Sequence, residues 1–221
     1  MPILLALVAG VAGLAIGVCA FVAPGEGPLG AALDRLGGVD TRVVPGDARR
    51  FDPFGALPEV AEYAGGGAKL VSIEVALVRA DGTMDLKADY KPSPHVTYRF
   101  VREVERPDDA PPPGAGGANT GPWYQPVQVE ASEPGQRRRR TRVGAGGSSV
   151  VDYVNKGMER TTSTVVSGEQ RIVELPGCSI ADMFRLAIER GAPADAVAHV
   201  TYDRHGYGLR ITGLDADGVR P

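Results

Sequence analysis

The chain has 221 residues, a formal net charge of −3, 30 glycines, 18 prolines, two cysteines and only 6% aromatic residues. A slightly acidic balance argues against nucleic-acid binding by the surface as a whole, and two cysteines exclude a disulfide-stapled scaffold. Scarce aromatics beside so much glycine and proline mean that part of the length is not packed core.

The first element is apolar. Ile3 to Ala23 (ILLALVAGVAGLAIGVCAFVA) holds no charged, amide or hydroxyl side chain, and the first charged side chain is Glu26. As a helix this run rises about 31 Å, the thickness of bilayer hydrocarbon, so a retained single-pass transmembrane helix (a signal-anchor) is expected over residues 1–23. A cleaved signal peptide fits less well. No Lys or Arg precedes the run, and the best small-residue site, Val18-Cys19-Ala20, lies inside it. Within the run Ala9, Gly13 and Gly17 share one face at four-residue spacing, which suggests helix pairing and a homodimer. The expected localisation is the membrane, with lipid as a partner. The first downstream cation, Arg35, leaves the side open, with a lean towards an extracytoplasmic body.

Residues 24–50 read as a linker punctuated by Gly and Pro, with a short apolar stripe at Leu29, Leu33 and Leu36. Residues 51–105 read as a helix plus an antiparallel meander. Asp52-Pro53 opens a helix bearing Phe54, Leu57, Val60, Ala61 and Ala64; Pro58 divides it, and Gly65-Gly66-Gly67 stops it. Val71, Ile73, Val75 and Leu77 then alternate with polar or small residues, Asp81-Gly82 offers a hairpin turn, and Met84 to Tyr90 reads as the return strand. A third strand covers Val96 to Val101.

Residues 106–148 read as a low-complexity insertion, partly disordered and rich in Pro, Gly and Arg. Inside it, Trp123 to Ala131 resembles a strand that Pro126 would confine to an edge. Gln136 to Val143 is its expected hairpin partner through Glu133-Pro134-Gly135. In residues 149–221 a hairpin is expected at Ser167-Gly168, and a helix starts at Ser179 with Asp182 completing an acidic capping box. A last hairpin turns at Arg204-His205-Gly206. The spacing Gly67 to Gly82 equals Gly191 to Gly206, so the two folded segments are expected to be similar units. Their order is similar in shape to PepSY-type modules, with no residue motif to carry a function across. The fold class expected is α+β: a transmembrane helix followed by two small helix-plus-antiparallel-sheet units.

The run Arg137, Arg138, Arg139, Arg140 and Arg142 is the one large charge cluster. On a strand its members point to both faces, so it suits a solvated edge or a contact with anionic groups, lipid headgroups included. Nucleic acid is disfavoured because no aromatic platform interleaves the run. His95, His199 and His205 lack the spacing of a zinc site, and no cofactor motif is present. Asp81, Asp85 and Asp89 are expected in a turn and on a solvent face balanced by Lys87, while Asp215, Asp217 and Gly218 only echo a calcium loop. The function expected is a membrane-anchored, non-catalytic binding or assembly module touching anionic groups through the arginines. The alternatives are an enzyme with a site around Cys178, Tyr202 and His205, and a structural protein self-associating through its transmembrane helix.

Overall fold

The computed structural model describes residues 39–108, 121–144 and 147–212, and the backbone of 214–215 and 218–219. Apart from Val39 and Asp40, these belong to one compact unit, Thr41–Pro221. Ile3 to Ala23, with Ala9, Gly13 and Gly17, lies outside the described residues. No helix among the described residues is long and apolar enough to cross a membrane. The two that form have 8 and 10 residues, where a span needs about 20. The single-pass, signal-anchor and membrane-localisation expectations are corrected on that finding, and no membrane role is carried forward.

The fold class is corrected as well. Among the described residues the unit is mainly β, an eight-stranded sheet with two short helices, α1 (Leu57–Ala64) and α2 (Ile180–Glu189). The strands are β1 (Asp40–Val43), β2 (Lys69–Arg79), β3 (His95–Val104), β4 (Trp123–Ala131), β5 (Arg137–Gly144), β6 (Gly147–Val154), β7 (Gly157–Thr162), β8 (Val166–Ser167), β9 (Val197–Asp203), β10 (Gly206–Thr212), β11 (Leu214–Asp215) and β12 (Gly218–Val219). The main sheet runs β1-β7-β4-β3-β2-β9-β10, with β8 also beside β4, while β5-β6 and β11-β12 form separate two-stranded sheets.

Residues read as two units therefore share one sheet, because β2 takes β3 and β9 as its two neighbours. The expected return strand after Asp81-Gly82 does not form. Met84 and Leu86 are buried as their alternation implied, yet they lie in irregular chain joined to the rest by the Phe51–Met84 bridge and Leu86 N–H to Ala48 O. The carboxylates of Asp81 and Asp85 accept from the Thr83 and Lys87 amides at 2.9 Å, the local bonding by which aspartate competes with a ladder. The turn itself forms, with Gly82 at φ +81° and bonds from Gly82 N–H to Arg79 O and from Arg79 N–H to Thr83 O, but no strand follows it as β10 follows Gly206.

The insertion read as low complexity holds β4 and β5. Pro126 sits in an interior strand, not at an edge, since β4 has β3 on one side and β7 and β8 on the other. It falls where the neighbour breaks between β7 and β8, so less is asked of its missing N–H. Nor is β5 the partner of β4. Glu133-Pro134-Gly135 bends the chain without reversing it, and β5 pairs with β6. The expected turn at Ser167-Gly168 is also absent: residues 168–178 are irregular, tied down by Val173 N–H to Leu70 O.

One face of the sheet packs on both helices. Across the strands Leu209, Val200, Val75, Val96, Ala131 and Met158 stand in register, and α1 contributes Leu57, Val60 and Tyr63 to the same core as Ile180 and Phe184 of α2. α1 begins after a turn in which Asp52 accepts from the Phe54 and Gly55 amides, and ends at Gly65. α2 begins as its sequence implies: Ser179 Oγ accepts from the Asp182 amide at 3.1 Å and donates to the Asp182 carboxylate at 2.7 Å. One row along, on the opposite face, stand Gly208, Thr201, Glu74, Thr97, Glu130 and Glu159. An antiparallel sheet with one packed and one polar face accounts for both rows.

Candidate functional site

The polar face is organised by the hairpin β5–β6. The β4/β7 ladder passes through an irregular stretch, where Ser132 N–H bonds Gly157 O and Gly135 N–H bonds Asn155 O, and resumes as β5/β6. Glycine is required at 157: its φ is +124°, and a Cβ there would meet Val44 Cγ1 at 3.0 Å. Asn155, fully buried, fixes the bend by donating to Ser132 Oγ at 2.9 Å and accepting from the Gly157 amide at 2.9 Å.

Beyond the bend the hairpin folds back as an arm over Glu130 and Glu159. Strand alternation sends Arg138 and Arg140 inward. Arg138 donates to Glu130 Oε1 at 2.9 Å, to Ser132 Oγ at 2.8 Å and to Glu159 Oε2 at 3.4 Å. Arg140 donates to Glu159 Oε1 and to Thr161 Oγ1. Tyr153, opposite Arg138 in the ladder, donates to Glu159 Oε2 at 2.6 Å. Glu159 is thus a carboxylate whose side chain is 7% exposed, met by two guanidiniums and a phenol. Burial lowers the Arg138 pKa, but the Glu130 and Glu159 carboxylates more than offset it and hold the group above its ordinary value. Burial and the bond to Glu159 push the Tyr153 phenol up.

The outward positions differ. Arg139 pairs with Asp152 at 2.8 Å, and both side chains are about 70% exposed. Arg137 is exposed and its backbone pairs with Val154, while its guanidinium has no hydrogen bond or ion pair to another described residue. An open cleft of about 550 Å³ is lined by Arg137, Arg138, Arg139, Asp152, Tyr153 and Val154. The backbone of Arg142 lies in β5 opposite Ser149. The arginine run therefore divides by parity, two residues seating the arm and two facing out. Sequence reasoning found the cluster but missed Glu130, Glu159 and Tyr153, since no local pattern marks a carboxylate 8 residues away, or one 19 to 21 residues away, as the counter-ion.

The thiol region is separate. Cys178 donates its amide to Tyr207 Oη at 2.9 Å, and Tyr207 stacks on Tyr202 with ring centroids 4.7 Å apart. Phe54 completes the aromatic group at 6.5 and 6.4 Å. The structure links Cys178 to Tyr202 only through Tyr207, and His205 stands apart, its Nε2 accepting from Arg204 Nε at 3.1 Å. His199 faces Glu74 on the polar side at 3.5 Å, and His95 bonds the Ser93 carbonyl. No histidine is therefore placed on the thiol as a base among the described residues.

Asp81 is held below the usual carboxylate range: burial raises it, but the two Thr83 hydrogen bonds and the nearby Arg50 and Arg79 charges prevail. Asp85 is not on a free solvent face but faces Arg49 and Arg79, each at 3.7 Å. Among the described residues no group of His, Cys, Asp and Glu is arranged to hold a metal ion. Asp217 lies outside the described residues. No family model, curated protein or solved structure gives a significant match to the chain.

Proposed function

We propose that this protein is a non-catalytic binding module whose β5–β6 arm contacts an acidic polypeptide surface through Arg137 and Arg139. The observation that supports this reading most is the division of labour within the run. Arg138 and Arg140 are occupied by Glu130 and Glu159, and they fix the arm over the sheet. That leaves Arg137 without a described partner and Arg139 with an exposed one, so both guanidiniums offer their donors at little desolvation cost. An exposed ion pair such as Arg139–Asp152 is worth little, and a competing carboxylate of the partner replaces Asp152 readily. Guanidinium forks match carboxylates in two-point contacts, which suits them to an acidic chain better than lysine would be.

The test is fluorescence anisotropy of a labelled Asp/Glu-rich peptide titrated with the full chain. Binding is expected to weaken as salt rises, and to fall at least tenfold in R137Q/R139Q while R210Q, remote from the arm, binds as the parent does. Equal affinity of R137Q/R139Q and the parent removes the reading.

A further inference from the structure

The sheet ends differently at its two edges. β1 is four residues long and carries Asp40 and Arg42, devices that discourage edge pairing. β10 is seven residues long, contains no proline, and pairs with β9 without a register shift. Among the described residues no strand pairs with its other side. Tyr207, Leu209 and Ile211 of this strand line one apolar groove of about 550 Å³ together with Met183, Leu186 and Ala187 of α2. Leu186 and Tyr207 are 46% and 39% exposed, large values for residues flanking a core. An unprotected strand edge beside an unfilled apolar groove is a surface that awaits another strand.

The order of residues in β10 selects which strand. Antiparallel pairing of two β10 strands about an axis through Leu209 sets Leu209 against Leu209, Tyr207 against Ile211, and Gly206 against Thr212. The apolar face then meets apolar face, with an aromatic residue over a β-branched one on each side of the axis. On the other face Arg210, the only charge in the strand, opposes Gly208 and no like charge. Shifting the register by two residues either way instead places Arg210 over Arg210 or Gly208 over Gly208, adding repulsion or losing side-chain contact. The strand is complementary to its own reverse.

We propose that two copies of this chain associate through antiparallel β10–β10 pairing centred on Leu209, with the two α2 grooves closing over the junction. Such a two-fold contact extends the sheet across the pair and removes its open edge.

The experiment uses the full chain in a C19S/C178S background. Directly opposed antiparallel positions lie about 4.5–5.5 Å apart at Cα, inside the range of about 4.4–6.8 Å that a disulfide spans. L209C is therefore expected to form a covalent dimer under mild oxidation much faster than R210C, whose two copies are offset by two residues each and stand about 8 Å apart. In sedimentation velocity the parent chain is expected to be dimeric, and L209K, which opposes two cations on the axis, to raise the dissociation constant at least tenfold. Should L209K fail to fold, the L209C and R210C rates decide alone. A monomer at every concentration, association unchanged in L209K, or equal crosslinking of L209C and R210C overturns the proposal. So does a monomeric chain whose edge captures an unrelated extended peptide.

Discussion

The two flanks of the sheet are held by different physics. At the β9–β10 flank, α2 lies on the sheet through Ile180 and Phe184, which are 2% and 0% exposed, and Phe54 packs its ring against Tyr202 and Tyr207 of the same two strands. At the β4–β7 flank the arm is seated by Glu130, Glu159, Arg138, Arg140 and Tyr153, while Val150 and Val154 of the same arm stay 57% and 51% exposed. Apolar contact is non-directional and tolerates sliding; a carboxylate gripped from several sides fixes one geometry. The comparison teaches that the arm is positioned by charge, whereas the helix is positioned by burial.

The strongest way to break this contrast is at Phe184. Phe184→Ala leaves a cavity in a fully buried site and is expected to cost about 3–5 kcal/mol in urea unfolding, with the m-value unchanged. A loss under 1 kcal/mol would show that α2 is not seated by burial. Next is Glu159→Gln, which keeps the shape and removes the charge shared by Arg138 and Arg140. Because the two guanidiniums keep partial access to water, the expected loss is about 1.5–3 kcal/mol, shrinking in high salt; the Phe184→Ala loss does not shrink.

Smaller effects sharpen the picture. Ser179→Ala removes the cap that accepts from the Asp182 amide and is expected to cost about 1 kcal/mol, while Ser179→Asp restores most of it. The smallest concerns acid. Asp81 has a lowered pKa in the folded state, so its contribution is present above its unfolded pKa and is lost as pH falls through the folded one. Asp81→Asn should therefore be less stable than the parent at pH 7. The gap should narrow from about pH 5 downwards, measured as unfolding midpoints. A gap constant with pH would show that the folded state does not hold the Asp81 carboxyl below its ordinary pKa.

The core was legible in the residue order wherever one period ruled a whole element. β3 and β4 alternate as expected, and Ser179 with Asp182 announces the start of α2. But β2 shifts register at Leu70/Ser72 and Ala76/Val78, so it gives the main core Leu70, Ile73, Val75 and Val78 and not the expected Val71 and Leu77. Neighbours were not legible. Met84 and Leu86 alternate as a strand does, but Asp81 and Asp85 bond their own chain and divert it, so β2 turns to β9 for its second partner. Glu133-Pro134-Gly135 carries hairpin chemistry, yet it bends a ladder that continues into β5–β6. Of the candidate site, the arginines were visible as a cluster and their parity as a strand. Their counter-ions were not, because Glu130 and Glu159 reach them only through folding.

The most direct test of the charged seat is amide hydrogen exchange resolved along the chain, comparing the parent with Glu159→Gln. If the carboxylate holds the arm, exchange in β5 and β6 accelerates at least tenfold in the variant, while β9, β10 and α2 keep the protection of the parent. Arm protection unchanged in Glu159→Gln, or lost equally across the sheet, would contradict it.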